Sequence, residues 1–143
     1  MFIGEYQHTL DAKGRMFMPS KFRDELGETF IVTLGLDHCL FVFSSDEFDR
    51  LKSKMDALSI ANKDARQFAR FFFAGACECE MDKQGRIMLP AKLRSHAELE
   101  KDVTVVGVSS RLELWNTEKW EAEHSFDNFS PEELSEKMEL LGL

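Results

Sequence analysis

The sequence predicts an α+β domain made of two similar halves related by a pseudo-two-fold axis. A thirteen-residue phrase occurs twice, as DAKGRMFMPSKFR at residues 11–23 and as DKQGRIMLPAKLR at residues 82–94. The likeness continues beyond the phrase, because FIVTLGLDHCLFVF at 30–43 is matched by DVTVVGVSSRLELW at 102–115. A period of about seventy residues that occurs only twice is typical of a duplicated domain and not of a solenoid.

Turn residues separate the elements expected in the first half, residues 1–75. Gly14 can adopt the positive φ of a tight turn. Pro19 fits the first position of a short helix, and Gly27 fits its end. The expected order is strand, turn, strand, helix, strand and strand, at 5–10, 11–14, 15–18, 19–26, 30–34 and 39–43.

Two more helices are expected before the second half begins. Ser44 and Glu47 have the spacing of a capping box for the first helix. The second helix begins near Asn62 and ends at Gly75. Apolar residues at helical spacing predict their buried faces, with Phe48, Leu51, Met55 and Leu58 in the first helix and Ala65, Phe68 and Phe72 in the second. A further face of the second helix carries basic residues that fit either a solvated surface or phosphate contacts, namely Lys63, Arg66 and Arg70.

The second half, residues 76–143, repeats this order and ends in two helices. One is expected after Thr117 and the other after Ser130, where a cap, a first-position proline and a capping-box glutamate follow in sequence. The last helix has an apolar stripe that fits packing on the body or on a neighbouring subunit, formed by Leu134, Met138 and Leu141. At the start of this half, alternation in ACECEM predicts that Cys77 and Cys79 face the core.

Length and composition favour a cytosolic chain that forms one compact domain or two small, intimately joined halves. The 143 residues are 43% hydrophobic and include 13 Phe, which is enough for a core. No apolar run reaches the roughly 20 residues of a membrane span, and the first residues lack the pattern of a signal peptide. The odd number of cysteines, 3, argues against a disulfide framework. The spacing of Cys39, His38 and His96 matches no zinc module, so no metal is expected.

Charge concentrates on the repeated phrases. The chain carries a net charge of −8, yet the two phrases together hold eight basic and two acidic residues, which leaves −14 on the remainder. An acidic body normally repels nucleic acid at long range. Basic residues gathered on two equivalent loops therefore indicate a local anion-binding face, whereas a single such loop would be better interpreted as a solvated turn.

Catalytic motifs are absent from the sequence. It contains no Gly-rich phosphate loop, no nucleophile elbow and no pair of His with metal-ligand spacing. The repeated Asp-x-x-x-Arg pattern lacks the third convergent group that a catalytic site needs. We therefore expect a protein that is not an enzyme and that uses no cofactor.

The chemistry of the repeated phrase fits DNA. Arg15 and Arg86 each follow a glycine turn, and a guanidinium can bind guanine in the major groove or clamp a phosphate. Asp11 and Asp82 lie four residues earlier, where each can hold its arginine, cap its own turn, or do both. The candidate DNA-binding residues are Asp11, Lys13, Gly14, Arg15, Lys21, Arg23, Asp82, Lys83, Gly85, Arg86, Lys92 and Arg94. Within this set the lysines, Arg23 and Arg94 are expected at phosphates. Lys13 has Gln84 as its counterpart, so the two loops need not bind alike.

These residues resemble the MraZ family of bacterial transcriptional regulators. The resemblance covers the whole chain, from MFIGEYQHTLDAKGR through ECEMDKQGR to VGVSSRLELW, and the paired Asp-x-x-x-Arg pattern is the hallmark of that family. It implies a swapped-hairpin, AbrB-like barrel in which two βαββ repeats interleave, with flanking helices. It further implies a homo-oligomeric ring that binds tandem short repeats in double-stranded promoter DNA upstream of the division and cell-wall gene cluster.

Two classes of function remain in view. The leading hypothesis is a cytoplasmic, nucleoid-associated regulator that binds specific DNA, with an antitoxin-like role as a variant and no membrane partner. The alternative is a self-assembling scaffold that binds an acidic partner protein through the basic loops. Salt-sensitive binding to upstream DNA, weaker on scrambled DNA, separates the two.

Overall fold

The computed structural model describes residues 1–124 and 126–143. Strands β1 to β8 and helices α1 to α6 follow one another in the predicted order, and the α+β class is confirmed. A π-helical turn at Arg70–Ala74 continues α3, and a 3-10 turn at Phe126–Asn128 precedes α6. In chain order the elements are β1 (Phe2–Thr9), β2 (Arg15–Phe17), α1 (Ser20–Leu26), β3 (Thr29–Leu34), β4 (Leu40–Ser44), α2 (Ser45–Asp56), α3 (Lys63–Ala69), β5 (Cys77–Glu80), β6 (Arg86–Met88), α4 (Ala91–His96), β7 (Asp102–Ser109), β8 (Leu112–Asn116), α5 (Thr117–Glu123) and α6 (Pro131–Leu140).

The strands of the two halves pair with each other. Six antiparallel strands form one sheet in the order β1-β7-β8-β4-β3-β5, and β2 and β6 form a separate two-stranded ribbon. Each of β1, β2, β3 and β4 has a neighbour from the second half, respectively β7, β6, β5 and β8. Because these pairings join distant parts of the chain, the duplicated halves share one framework.

The predicted closed barrel is not found in the described residues. The large sheet is open, with β1 and β5 as its outer strands. The physical reason lies in β2 and β6, which span three residues each. They pair with each other in a separate ribbon, and neither forms a strand ladder with the outer strands β1 and β5.

Alternating side chains of the sheet build an apolar cluster on each face. In β4, Leu40 and Val42 belong to the larger cluster, whereas Phe41 and Phe43 belong to the smaller one. The larger cluster includes side chains from the ribbon and from the short helices α1 and α4, among them Met16, Phe22, Ile87 and Leu93. The smaller cluster is covered by Phe48 and Leu51 of α2, Phe72 of the π-helical turn and Trp120 of α5. The ribbon and these helical elements therefore lie on opposite faces of the sheet.

Several local predictions are confirmed. Ser44 Oγ accepts a hydrogen bond from the Glu47 backbone N–H, and Ser130 Oγ accepts one from Glu133, as expected of helix caps. Cys79 is buried, and the partly buried Cys77 packs against the same larger cluster.

Other local predictions are wrong in detail. Pro19 is the N-cap of α1 and not its first residue, because the helix begins at Ser20. Leu58 lies beyond the end of α2 and is exposed, so it does not extend the buried stripe of that helix. A π-helical turn replaces the last turns expected of a regular helix before Gly75.

The C-terminal helix contributes little to the core. All residues of α6 are exposed, and its apolar Leu134, Met138 and the following Leu141 are 45%, 43% and 77% exposed. Of the two options open from the sequence, packing on the body is not observed. Among the helices that the structure describes, none is long and apolar enough to cross a membrane.

Candidate nucleic-acid interface

The first Asp-x-x-x-Arg loop is a closed turn organised by its aspartate. Asp11 Oδ1 accepts hydrogen bonds from the backbone N–H groups of Lys13 and Arg15, both at 2.9 Å. The Asp11 carbonyl accepts from the Gly14 N–H at 3.0 Å, and the Asp11 N–H donates to the Arg15 carbonyl at 2.9 Å. Gly14 has φ of 80°, a left-handed conformation that glycine adopts at little cost. Four hydrogen bonds across five residues hold this loop closed.

The second loop repeats this geometry. Asp82 Oδ1 accepts from the backbone N–H groups of Gln84 and Arg86, both at 2.9 Å. The Gly85 N–H donates to the Asp82 carbonyl at 3.0 Å, and φ at Gly85 is 81°. Gln84 stands where the first loop has Lys13, and the turn is the same. Both residues bond to the aspartate through the backbone N–H, so the side chain does not matter to the turn.

Each aspartate also holds its arginine, so its two predicted roles coexist. Arg15 Nε donates to Asp11 Oδ2 at 2.8 Å, and Arg86 Nε donates to Asp82 Oδ2 at the same distance. Both arginine side chains are half-buried. Surface ion pairs of this kind contribute only about 0–1 kcal/mol to stability, so their main effect is to fix the direction of the guanidinium.

The loop carboxylates stay ionised at neutral pH. Hydrogen bonds from the backbone N–H of Arg15 to Asp11, and of Arg86 to Asp82, are the main reason that the pKa of each aspartate lies below its ordinary value of 3.8. A charged acceptor forms stronger hydrogen bonds than a neutral one. The carboxylate therefore keeps both the turn and the arginine in place.

The ribbon brings the two arginines onto one surface. Its register sets Arg15 opposite Met88 and Phe17 opposite Arg86. The middle pair of the ribbon is buried in the core: Met16 and Ile87. Side chains alternate along a strand, so the other four residues share the outer face. Phe17 and Met88 are 45% and 62% exposed there.

Phe17 and Met88 are absent from the candidate residues predicted from the sequence. Both belong to the repeated phrase, at equivalent positions two residues after the signature arginine. Strand alternation was the available signal, because a buried Met16 or Ile87 leaves its neighbours facing outward.

The remaining candidate residues fall into two groups. Lys13 and Lys83 lie at the turns and Lys21 and Lys92 near the start of α1 and α4, and all four are exposed. Arg23 and Arg94 are half-buried, and their Nε atoms already donate to backbone carbonyls. The lysines are thus available to an external anion, whereas these two arginines have structural partners.

The Cys39 region has no features of a metal site. Burial raises the pKa of the Cys39 thiol, which disfavours the thiolate that zinc requires. His96 Nε2 lies 3.0 Å from the Gly35 carbonyl oxygen. Within the described part of the chain, no group of three or more His, Cys, Asp or Glu is placed to hold a metal ion.

Comparison with known proteins decides the family. A family model described as "MraZ protein, putative antitoxin-like" matches residues 1–71 and again residues 72–140. The chain belongs to the MraZ family. The two matches follow one another along the chain, as the internal duplication does.

Curated MraZ relatives are similar over the full length. "Transcriptional regulator MraZ" of Alkaliphilus oremlandii is 56% identical over 143 residues, which cover 100% of both chains. The protein of the same name from Acetivibrio thermocellus is 55% identical, and that from Caldicellulosiruptor saccharolyticus 54%, again with 100% coverage of both chains. MraZ proteins are thus transcriptional regulators and not enzymes, in agreement with the sequence analysis.

Proposed function

We propose that this chain regulates transcription by binding specific double-stranded promoter DNA through its two Asp-x-x-x-Arg loops. One observation carries the proposal: the β2–β6 ribbon presents Arg15 and Arg86, each oriented by an aspartate, on a single outer face. A two-stranded ribbon fits the major groove of B-DNA, where an arginine fork can bind the O6 and N7 atoms of guanine.

The ribbon also offers apolar contacts for base recognition. Phe17 and Met88 lie across the ribbon from Arg86 and Arg15 and are exposed. The methyl group of thymine is the apolar feature of the major groove, and side chains such as Phe pack against it. We assign Phe17 and Met88 to this contact, beside arginines that bind guanine.

Exposed lysines supply the non-specific part of the interaction. Lys13, Lys21, Lys83 and Lys92 are exposed, lie close to the ribbon strands in sequence, and are proposed to contact phosphates. Asp11, Gly14, Asp82 and Gly85 complete the site by holding the loops. Arg23 and Arg94 were expected at phosphates from the sequence, but their Nε atoms donate to backbone carbonyls, so they are not assigned to phosphates. The net charge of −14 outside the two phrases disfavours contact with DNA elsewhere on the chain.

We also propose how the two repeats are built and how the chains assemble. Residues 1–75 and 76–143 are taken as two AbrB-like, swapped-hairpin repeats, which is supported by the pairing of β1 with β7 and of β3 with β5. One chain offers two loops and few base contacts, which normally gives weak binding at physiological salt. We therefore propose that the chain forms a homo-oligomeric ring associated with the nucleoid. The ring binds tandem short repeats in its own promoter, at the head of the division and cell-wall gene cluster. The exposed apolar side chains of α6 support such assembly.

A charge-conserving substitution tests the DNA proposal. Arg15→Lys keeps the positive charge but removes the planar fork. Binding is measured by fluorescence anisotropy on the DNA upstream of the gene and on a scrambled duplex of the same composition, over a range of salt concentrations. The preference for upstream DNA should fall on the order of 10–100-fold, while binding to the scrambled duplex and its salt dependence stay the same.

The control is Arg50→Lys, which alters an exposed arginine of α2 on the opposite face of the sheet. It should bind like the wild type. A folded Arg15→Lys protein with unchanged preference for upstream DNA would overturn the proposal.

A self-assembling scaffold for an acidic partner protein is the second candidate function. The exposed apolar residues of α6 favour assembly, and the lysines of the ribbon face favour an acidic partner. The same titration separates the two functions, because a scaffold has no preference for upstream over scrambled DNA.

A further inference from the structure

Each Asp-x-x-x-Arg loop, called a signature loop below, lies against one half-buried arginine from the other half of the chain. We propose that Arg94 positions the first loop, residues 11–15, and that Arg23 positions the second, residues 82–86. This inference rests on the proposed function, since it concerns the same DNA-binding loops. Both arginines come from the short helices α1 and α4, which follow the loop of their own half.

Arg94 lies directly against Gly14. Its Nε donates to the Leu89 carbonyl at 3.0 Å, and the Leu89 N–H donates to the Gly14 carbonyl at 2.9 Å. A Cβ atom on Gly14 would lie 2.9 Å from both Cζ and Nε of Arg94 and from the Leu89 oxygen. The guanidinium thus occupies the space beside the turn that a side chain would need.

The second contact has the same form with the halves exchanged. Arg23 Nε donates to the Met18 carbonyl at 2.9 Å, and the Met18 N–H donates to the Gly85 carbonyl at 3.0 Å. A Cβ atom on Gly85 would have Cζ of Arg23 as its nearest neighbour and would lie 2.7 Å from Nε. Because the arrangement occurs twice, it is a feature of the duplicated unit.

The chemistry of this contact requires arginine and glycine together. Glycine permits close approach of backbone to another group as well as a positive φ. A guanidinium is planar and directs its Nε–H along a fixed line, so it can bond one carbonyl while its plane lies against the turn. A lysine ammonium can bond the carbonyl but provides no plane. Arg23 and Arg94 therefore affect DNA binding by positioning the loops, whereas the exposed lysines contact phosphates directly.

A positioning role and a phosphate contact give different patterns in a double-mutant cycle. Positioning predicts that Arg94→Lys weakens DNA binding through Arg15, which lies in the other half. A direct phosphate contact predicts a loss that adds to that of either signature arginine. Energetic coupling is expected only between residues in contact or in one network.

The experiment uses the full chain and upstream DNA. Arg94→Lys is made alone, with Arg15→Ala and with Arg86→Ala, and dissociation constants are measured by anisotropy. We expect a loss of about threefold to tenfold alone and with Arg86→Ala, and almost none with Arg15→Ala. Equal losses in both backgrounds would overturn the inference, and a salt slope lowered by about one unit in Arg94→Ala, which removes the charge that Arg94→Lys keeps, would identify a phosphate contact.

A measurement without DNA keeps this test independent of the proposed function. The chain has only 8 glycines, so glycine-selective ¹⁵N labelling gives a simple amide spectrum. Arg94→Lys should shift the amide of Gly14 more than that of Gly85, and Arg23→Lys should do the reverse. Shifts confined to the glycine of the same half would refute positioning across the halves. Correct shifts in a protein that binds no DNA would refute the function and leave the positioning intact.

Discussion

Met18 and Gly85 belong to different halves of the chain, and the backbone N–H of Met18 donates to the Gly85 carbonyl at 3.0 Å. The reciprocal hydrogen bond runs from Leu89 to Gly14 at 2.9 Å. These bonds flank the β2–β6 ribbon, so each signature loop is anchored on a strand end of the other half. The geometry of the proposed DNA-binding face therefore depends on both halves of the chain.

Neither half should fold cooperatively alone. A chain of residues 1–75 lacks the partners of β1 and β2, and a chain of residues 76–143 lacks those of β5 and β6. Unpaired strand edges favour aggregation over a stable fold. Thermal melting followed by circular dichroism should show a sharp transition for the full chain and none for either half. A monomeric half with a sharp transition would contradict the shared framework.

Gly85→Ala should destabilise the protein by about 1–3 kcal/mol, because it adds a Cβ at φ of 81° and displaces Arg23. Urea unfolding gives the free energy. Combining Gly85→Ala with Arg23→Ala should cost less than the sum of the single changes, since the clash is removed. Combination with Arg94→Ala is the matched control and should be additive. Additivity in both pairs would show that Arg23 and Gly85 are not coupled.

Lys21→Ala should weaken binding to all DNA sequences alike and lower the salt slope by about one unit, as loss of one phosphate contact does. Lys54→Ala, on α2 at the opposite face of the sheet, is the control and should change neither quantity. Anisotropy titrations on upstream and scrambled duplexes measure both effects. A loss confined to upstream DNA would instead place Lys21 at a base.

Asp82→Asn should make the free energy of unfolding less dependent on pH in the acidic range. The folded state lowers the pKa of Asp82, so its carboxylate stabilises the fold above its ordinary value of 3.8, and that stability is lost as pH falls through the lowered pKa. Urea unfolding from pH 3 to 7 should show the largest difference between wild type and variant near neutrality and a shrinking one below about pH 4. A difference that is constant with pH would exclude the carboxylate charge as its cause.

Assembly should supply the affinity that one chain lacks. Light scattering should give a particle larger than a dimer of the 16.5 kDa chain, and affinity should fall steeply as repeats are removed from the DNA. Leu134→Glu with Met138→Glu places charge on the exposed stripe of α6 and should reduce both particle size and binding to multi-repeat DNA. Binding to a single repeat should be unchanged. A monomer that binds one repeat tightly would refute the avidity argument.

The sequence by itself determined the local geometry of the candidate site. Asp11 and Arg15 are four residues apart around a glycine, so the turn and the Asp–Arg pair follow from short-range hydrogen bonds. The duplication carried the same prediction to Asp82 and Arg86, where it is confirmed. Strand alternation likewise gave the burial of Cys79 correctly.

Only the tertiary structure decided the contacts between the two halves and the exposure of the side chains near them. Arg94 and Gly14 are 80 positions apart in the chain, and nothing in their local sequence marks a contact. The positive charge of Arg23 and Arg94 in a basic segment therefore predicted that they contact phosphate. In the structure, their Nε atoms donate to backbone carbonyls instead. Phe17 and Met88 are apolar yet exposed, because the pairing of β2 with β6 turns their neighbours inward. Short-range geometry is set by backbone conformation, whereas the exposure and partners of a side chain depend on which distant strands pair.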